Sequence, residues 1–236
     1  MRDQIRRLFQ RWFRGHVRGQ LARTFDGVFV AGLGETRRLL QNGPVLFAAN
    51  HRCRWDAMLL IALDEALGGQ GAVLMDADNL RQFSFFRALG AIPLDRRHAA
   101  ATRRGLRRGQ EHLKNPGASL WIFPQGRQRP AELRPLGLQR GVELLAKGVT
   151  TIPVSFYFQF RDTFQQCIIV RFGEPVEDPA ALEAALIAGQ LQAAEDVDAG
   201  RMQGYSLLVP PPPPQPIDLP TRMLSAFWDW FLPEGG

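Results

Sequence analysis

The chain has 236 residues, of which 45% are apolar, and this is enough to bury one large core or a core with appendages. Its cysteines, Cys53 and Cys167, are far apart in sequence, which excludes a disulfide framework and a metal-ligand spacing and is typical of a reducing compartment. Residues 1–24 contain seven arginines and one aspartate, basic residues are again in excess over 95–140, and 174–198 has seven acids and no base. We therefore expect the chain to meet anions at two separate places.

Residues 1–24 are predicted to form one amphipathic helix. A basic face opposite Trp, Phe and Leu is typical of a helix that lies in a membrane surface, so we expect a lipid surface as a partner. A helix docked on the core, with solvated arginines, is the alternative. A nucleic-acid arm is weaker, because no nucleic-acid-binding motif follows, and no nucleic-acid partner is expected. The apolar positions are Ile5, Leu8, Phe9, Trp12, Phe13, Val17 and Leu21.

The apolar segments are too short to span a membrane. The longest, "AMLLIAL" at 57–63, is well below the roughly 20 residues that a spanning helix needs. A secretory signal is also missing, because arginines stand where its apolar region should be. The sequence therefore predicts a cytoplasmic protein attached peripherally to the inner face of the membrane.

Strands and helices alternate over residues 25–208. The predicted strands are 27–32, 44–50, 72–75, 91–94, 118–123, 150–158 and 166–173. The predicted helices are 54–67, 79–88, 98–114, 136–147 and 179–197. This alternation indicates an α/β fold: a single domain with a mixed, largely parallel sheet covered by helices.

The C-terminal part differs in composition. Residues 209–220 are proline-rich and predict a stiff linker. Residues 221–236 form an aromatic tail, which either packs back over the core or is a second interfacial anchor. The anchor is suggested by Trp228, Trp230 and Phe231, because such rings suit the boundary between water and lipid.

The stretch "HRCRWD" places His51 and Asp56 five residues apart. On one helix they would point about 140° apart, so contact requires His51 in the turn before a helix and Asp56 in its first turn. There the helix dipole favours a neutral imidazole, and the carboxylate could fix its tautomer. No serine or cysteine stands in a nucleophile motif, so the pair suggests that a substrate hydroxyl attacks. The alternative is that Asp56 only favours the helix start and His51 caps a turn.

Three further stretches bear on function. "GAIPLDRR" ends in Arg96 and Arg97, which follow a strand and could clamp a phosphate. In "FPQGRQRP", Gly126 permits close backbone approach, so a nearby N–H could face an anion or a developing oxyanion. "TIPVSF" has Pro153 inside an apolar strand, which predicts a sheet edge or a bulge.

In this order the four stretches resemble the glycerolipid acyltransferase family, which includes lysophosphatidic acid and glycerol-3-phosphate acyltransferases. The resemblance covers about residues 27–175. The matching positions are His51-x4-Asp56, then Gly90, Ile92 and Arg96, then Phe123-Pro124-Gln125-Gly126, and finally Ile152-Pro153-Val154.

The resemblance implies an acyl transfer. His51 would remove the proton from an acceptor hydroxyl, with Asp56 orienting it, and the oxygen would attack the thioester of acyl-CoA or acyl carrier protein. These donors are co-substrates, and no cofactor or metal is implied. Gln125 and Gly126 would bind the substrate or the oxyanion.

The third motif departs from the family pattern Phe-Pro-Glu-Gly-Thr-Arg-Ser. Gln125 replaces the carboxylate, and Gln128 stands at the usual arginine position. Arg96 matches the arginine associated with the acceptor phosphate, and Arg97 is a further candidate for an acceptor or donor phosphate, as are Arg127 and Arg129. The acceptor is thus a lysophospholipid such as lysophosphatidic acid, or a neutral alcohol such as a glycolipid. The rival of another class is a non-catalytic protein that binds anionic lipid.

Overall fold

The computed structural model describes residues 1–68, 70–161, 163–213 and 219–231. Its helices are α1 (Arg2–Thr24), α2 (Leu33–Asn42), α3 (Trp55–Leu67), α4 (Ala77–Gln82), α5 (Ala99–His112), α6 (Gly141–Ala146), α7 (Leu182–Asp198) and α8 (Leu219–Phe231). Its strands are β1 (Val28–Ala31), β2 (Val45–Ala49), β3 (Gln70–Asp76), β4 (Ala91–Leu94), β5 (Ala118–Ile122), β6 (Thr150–Phe160), β7 (Gln166–Phe172) and β8 (Ser206–Val209). Short 3₁₀ helices cover Ser84–Leu89 and Pro179–Ala181.

The strands of the described residues form one sheet in the order β4-β3-β5-β2-β6-β7-β1-β8. Two neighbouring pairs, β6–β7 and β1–β8, are antiparallel, and the others are parallel. The predicted fold class, an α/β domain with a mixed and largely parallel sheet, is confirmed. The sequence patterns did not predict α2 or β8, both of which are short.

Strand β2 shows why the sheet is covered on both faces. All five of its residues are buried, as expected for a central parallel strand. Val45 and Phe47 face the layer of α1, α2 and α3, whereas Leu46 and Ala48 face the layer of α5, α6 and α7. The continuous apolar run in the sequence therefore supplies two cores at once.

Helix α1 has two apolar faces rather than one. Phe13 and Leu21 are buried against the core, which agrees with the docked-helix alternative for this half of the helix. Ile5, Leu8 and Trp12 form a separate stripe and are 59%, 60% and 64% exposed. No helix in the described part of the chain is both long and apolar enough to cross a membrane.

Pro153 lies inside the sheet, so the prediction of a sheet edge is wrong. Strand β6 is flanked by β2 and β7, and Pro153 pairs with Ala48 of β2. The register does change at this point: Val154 pairs with Phe172, whereas Thr151 bridges Val176, so two residues of β6 lie opposite three residues of the segment after β7. This extra residue agrees with the alternative prediction of a bulge. The proline stands just where this antiparallel ladder ends. The Pro153 carbonyl still accepts from Gly173 N at 2.9 Å.

Several predicted segments have different bounds in the structure. The single helix predicted over 79–88 is divided into α4, which ends at Gln82, and the 3₁₀ helix Ser84–Leu89. Helix α6 begins at Gly141 rather than at 136, because the preceding backbone bonds elsewhere: Leu136 N donates to Glu183 and Gln139 N donates to Pro124. The predicted linker overlaps β8, which ends at Val209, and α8, which begins at Leu219. Residues 214–218 of that linker lie outside the described residues, as do the Trp228, Trp230 and Phe231 side chains of the aromatic tail.

Candidate active site

The carboxyl ends of four parallel strands bring the predicted motifs to one edge of the sheet. His51 follows β2 directly after Asn50, Asp76 ends β3, Arg96 follows β4, and residues 123–126 follow β5. Sites in open α/β sheets occur at this edge, because the loops there converge from neighbouring strands. Three of the four stretches singled out in the sequence thus meet in one place.

His51 and Asp56 are in direct contact. His51 precedes α3 and Asp56 is the second residue of that helix, as their spacing required. The distance from His51 Nδ1 to Asp56 Oδ2 is 2.7 Å. The same oxygen accepts backbone N–H bonds from Arg52 at 2.6 Å and Cys53 at 2.9 Å. Asp56 therefore stabilises the helix start and holds the imidazole at the same time, so the two interpretations of this pair are compatible.

The imidazole of His51 borders an open cleft. Its side chain is 19% exposed, whereas Asp56 is completely buried. The ring stacks on Phe123, with centroids 4.2 Å apart and planes inclined by 18°. A carboxylate partner favours the tautomer with a proton on Nδ1, so Nε2 is the nitrogen that can accept a proton. Among the described residues Nε2 has no hydrogen-bond partner.

Two amide side chains hold the backbone around His51. Gln125 Oε1 accepts from the backbone N–H of His51 at 2.6 Å. The buried Asn50 side chain bonds both backbone groups of Phe156 on β6, donating from Nδ2 at 3.0 Å and accepting on Oδ1 at 2.6 Å. Asn50 was not singled out in the sequence, although a polar residue at the end of the apolar run "VLFAAN" is a usable signal.

The backbone N–H of Gly126 is already occupied. It donates to Phe123 O at 2.9 Å in a tight turn, in which Gly126 has a φ of +69°. The expectation that an N–H at this turn could face an oxyanion therefore does not apply to Gly126 itself. The next N–H, that of Arg127, has no acceptor among the described residues, and Arg127 borders the cleft.

Arg96 and Arg127 border the cleft, whereas Arg97 does not. Arg96 bridges two of the converging loops, since Nη1 donates to Gly126 O and Nη2 lies 3.2 Å from Asp76 Oδ2. Arg97 is paired with carboxylates, with Nη2 at 3.0 Å from Asp78 Oδ1, and it borders a smaller pocket that Arg96 also lines. Of the two predicted arginines, Arg96 alone borders the cleft beside His51.

Arg129 also points away from the cleft. Its backbone N–H donates to His51 O at 2.9 Å, and its Nη1 donates to Leu136 O at 3.1 Å. Its Nε is buried without a partner in the described part of the chain. Arg129 therefore joins the loop after β5 to His51, and it does not border the cleft.

Cys53 is a poor nucleophile despite its position two residues after His51. Burial, and then the nearby charge of Asp56, raise the pKa of its thiol to about 11. Cys53 Sγ also donates to Asp56 Oδ1 at 3.5 Å. Since the thiolate is the reactive form, this thiol is largely inert near neutral pH.

The cleft has a volume of about 2080 Å³ and extends well beyond His51. Its apolar walls come from α3, β3, the 3₁₀ segment Ser84–Leu89 and α6. Helix α1 contributes only polar and charged residues: Asp3, Arg6, Arg7, Gln10 and Arg14. Within the described ranges, no group of three or more His, Cys, Asp or Glu side chains is arranged to hold a metal ion.

One comparison with known proteins identifies a family. A search among curated proteins gave no match. The family model described as Acyltransferase matches residues 30–157, which is more than half of the chain and includes all four motif stretches. This chain belongs to the acyltransferase family.

Proposed function

We propose that the protein transfers a fatty acyl group from a thioester, acyl-CoA or acyl carrier protein, to a hydroxyl of a lysophospholipid such as lysophosphatidic acid. The contact of His51 with the buried Asp56 at the cleft wall carries this proposal. A histidine held in this way is suited to general base catalysis, and no protein nucleophile is needed.

The proposed reaction has two steps. Nε2 of His51 takes the proton of the acceptor hydroxyl while its oxygen attacks the thioester carbonyl, and Asp56 stabilises the imidazolium that forms. The tetrahedral oxyanion would be stabilised by an N–H after the Gly126 turn, that of Arg127 being unpaired among the described residues. The C–S bond then breaks, the imidazolium returns its proton to the leaving sulfur, and the ester and free thiol depart.

The acceptor's head group is proposed from the charges beside His51. Arg96 and Arg127 border the cleft and can contact a phosphate. A neutral acceptor, such as a glycolipid or another hydrophobic alcohol, is the second candidate. It is favoured by Gln125 and Gln128, which stand where the family has a carboxylate and an arginine.

A peripheral position on the inner face of the membrane is part of the proposal. Support comes from the exposed Ile5, Leu8 and Trp12 on α1, which lie among arginines. Leu219 and Met223 of α8 are also exposed. A non-catalytic protein that binds anionic lipid would share these features, so only the reaction distinguishes the two functions.

Release of free thiol tests the proposal. The purified protein is incubated with acyl-CoA or acyl carrier protein and a mixed lipid extract, and mass spectrometry identifies the product. We expect His51→Ala to abolish thiol release, and His16→Ala, which changes an exposed histidine of α1, to leave it unchanged. Release that survives His51→Ala would exclude His51 as the base. No release with either donor would favour the lipid-binding protein.

A further inference from the structure

One face of α3 forms a wall of the cleft along most of the helix. Ala57, Met58, Ile61 and Asp64 all border the cleft and follow helical spacing. Asp64 is eight residues beyond Asp56, which corresponds to about 12 Å along the helix. The cleft therefore runs from the carboxyl edge of the sheet, at His51, towards its amino edge.

Asp64 lies at the amino edge and is held there by three hydrogen bonds. Its Oδ1 accepts from Ser119 Oγ at 2.7 Å and from Trp121 Nε1 at 3.4 Å, and its Oδ2 accepts from Gly71 N at 3.2 Å. A methyl group on Gly71 would collide with the carboxylate, so Asp64 lies close against β3. This contact holds the carboxylate at the amino end of β3.

Asp64 lies beside apolar side chains and has no described arginine or lysine partner. The cleft surface between it and His51 is built largely from apolar side chains, including Met58, Ile61 and Val73. Charged residues of α1 also border the cleft, as do Arg54 and Arg140, but no described arginine or lysine forms an ion pair with Asp64. The acyl transfer proposed above leaves this carboxylate without a role.

We propose that Asp64 limits the length of the acyl chain that the donor can carry. This inference rests on the proposed function, since it takes the apolar cleft beside α3 as the place of the acyl chain. Each methylene group placed against the apolar wall favours binding, because it leaves water. A chain long enough to cover Asp64 would instead remove water from a carboxylate that has hydrogen bonds but no described arginine or lysine partner, which is unfavourable. Medium-length chains are therefore the expected substrates.

The test measures binding in a chain that cannot turn over. With His51→Ala as the background, calorimetry gives the Kd of octanoyl-, lauroyl- and palmitoyl-CoA. We expect affinity to rise from octanoyl to lauroyl and to rise no further, or to fall, with palmitoyl. Adding Asp64→Asn should lower the Kd of palmitoyl-CoA by about tenfold, which corresponds to about 1.4 kcal/mol. The Kd of octanoyl-CoA should change less than twofold.

Two control variants separate charge from packing. Ser119→Ala removes a hydrogen bond to Asp64 but keeps its charge, and Glu65→Gln removes the neighbouring charge of α3, which pairs with Arg18 at the surface. Both should keep the chain-length profile of the background. Ser119→Ala would overturn the inference if it changed the Kd of palmitoyl-CoA as much as Asp64→Asn does. An unchanged Kd of palmitoyl-CoA in Asp64→Asn, with an unchanged melting temperature, would also overturn it. The chain with the natural His51 distinguishes the two proposals. If Kd depends on chain length as expected but that protein releases no thiol, the proposed reaction alone is wrong.

Discussion

Gln125 accepts a 2.6 Å hydrogen bond from the backbone N–H of His51, so the loop after β5 helps to position His51. Gln125 is buried, and its replacement by Ala would leave that N–H without a partner. We expect Gln125→Ala to lower the free energy of unfolding by about 1–3 kcal/mol and to reduce kcat, because the imidazole loses its support.

Gln125→Glu is the matched variant, since it restores the family's carboxylate and keeps an acceptor oxygen. We expect it to retain kcat within about tenfold of the natural chain, whereas Gln125→Ala loses more. Thermal denaturation and thiol release measure the two quantities. Equal activity of the Ala variant would show that this hydrogen bond does not position His51.

Asp56→Asn separates the two roles of Asp56. The amide oxygen can still accept from the N–H groups of Arg52 and Cys53, but the side chain cannot stabilise an imidazolium. We expect kcat to fall by about 10²–10⁴-fold with little change in melting temperature. Asp56→Ala should lose stability as well, because both N–H groups lose their partner. Activity of the Asn variant close to that of the natural chain would exclude this role.

Cys53 is expected to be dispensable for the reaction. A thiol with a pKa of about 11 is protonated at pH 7–8, since only pH values above 11 leave most of it as thiolate. Maleimide labelling of Cys53 should therefore be slow at pH 7.5, and Cys53→Ala should keep kcat within about threefold, as it loses only a weak bond to Asp56. Trapping an acyl group on Cys53 would contradict the proposed direct attack by the acceptor.

Arg96 and Arg97 should respond differently to substitution. Arg96 borders the cleft, whereas Arg97 is held by Asp78 and Asp95 outside it. With a phosphate-bearing acceptor, we expect Arg96→Ala to raise KM by about tenfold and Arg97→Ala to change it less than twofold. A neutral acceptor provides the comparison, because its KM should not depend on a phosphate contact. Equal effects on both acceptors would assign Arg96 to the support of the Gly126 turn.

The exposed stripe of α1 can be tested without removing the helix. Deleting residues 1–24 would also remove Phe13 and Leu21 from the core, so loss of vesicle binding would not be specific. Changing Ile5, Leu8 and Trp12 together to Ser leaves the docked face intact. We expect weaker binding to anionic vesicles and an unchanged melting temperature.

Salt gives a second measurement on this surface. The remaining binding to anionic vesicles should decrease as salt increases, because the arginines of α1 are screened. Vesicle binding that is unchanged by the triple substitution would place the membrane contact elsewhere, with α8 as the next region to test.

Features that depend on local geometry could be predicted from the residues alone. Apolar runs and their alternation predicted most strands and helices, because burial imposes a fixed period on each element. The spacing of His51 and Asp56 restricted how they could touch, since helical geometry allows that contact only across a helix start. Motif order then indicated the acyltransferase family.

How these segments meet depends on pairing between distant parts of the chain and could not be predicted from local patterns. Strand order brings the loops after β2, β3, β4 and β5 to one edge, and this depends on pairings between distant segments that no local period encodes. The tertiary structure also decided the direction of long or polar side chains, since a residue's position on a loop leaves its rotamer open. Neighbours in space therefore hold Arg97 and Arg129 outside the cleft, occupy the N–H of Gly126, and fix Asp64 against the amino ends of β3 and β5.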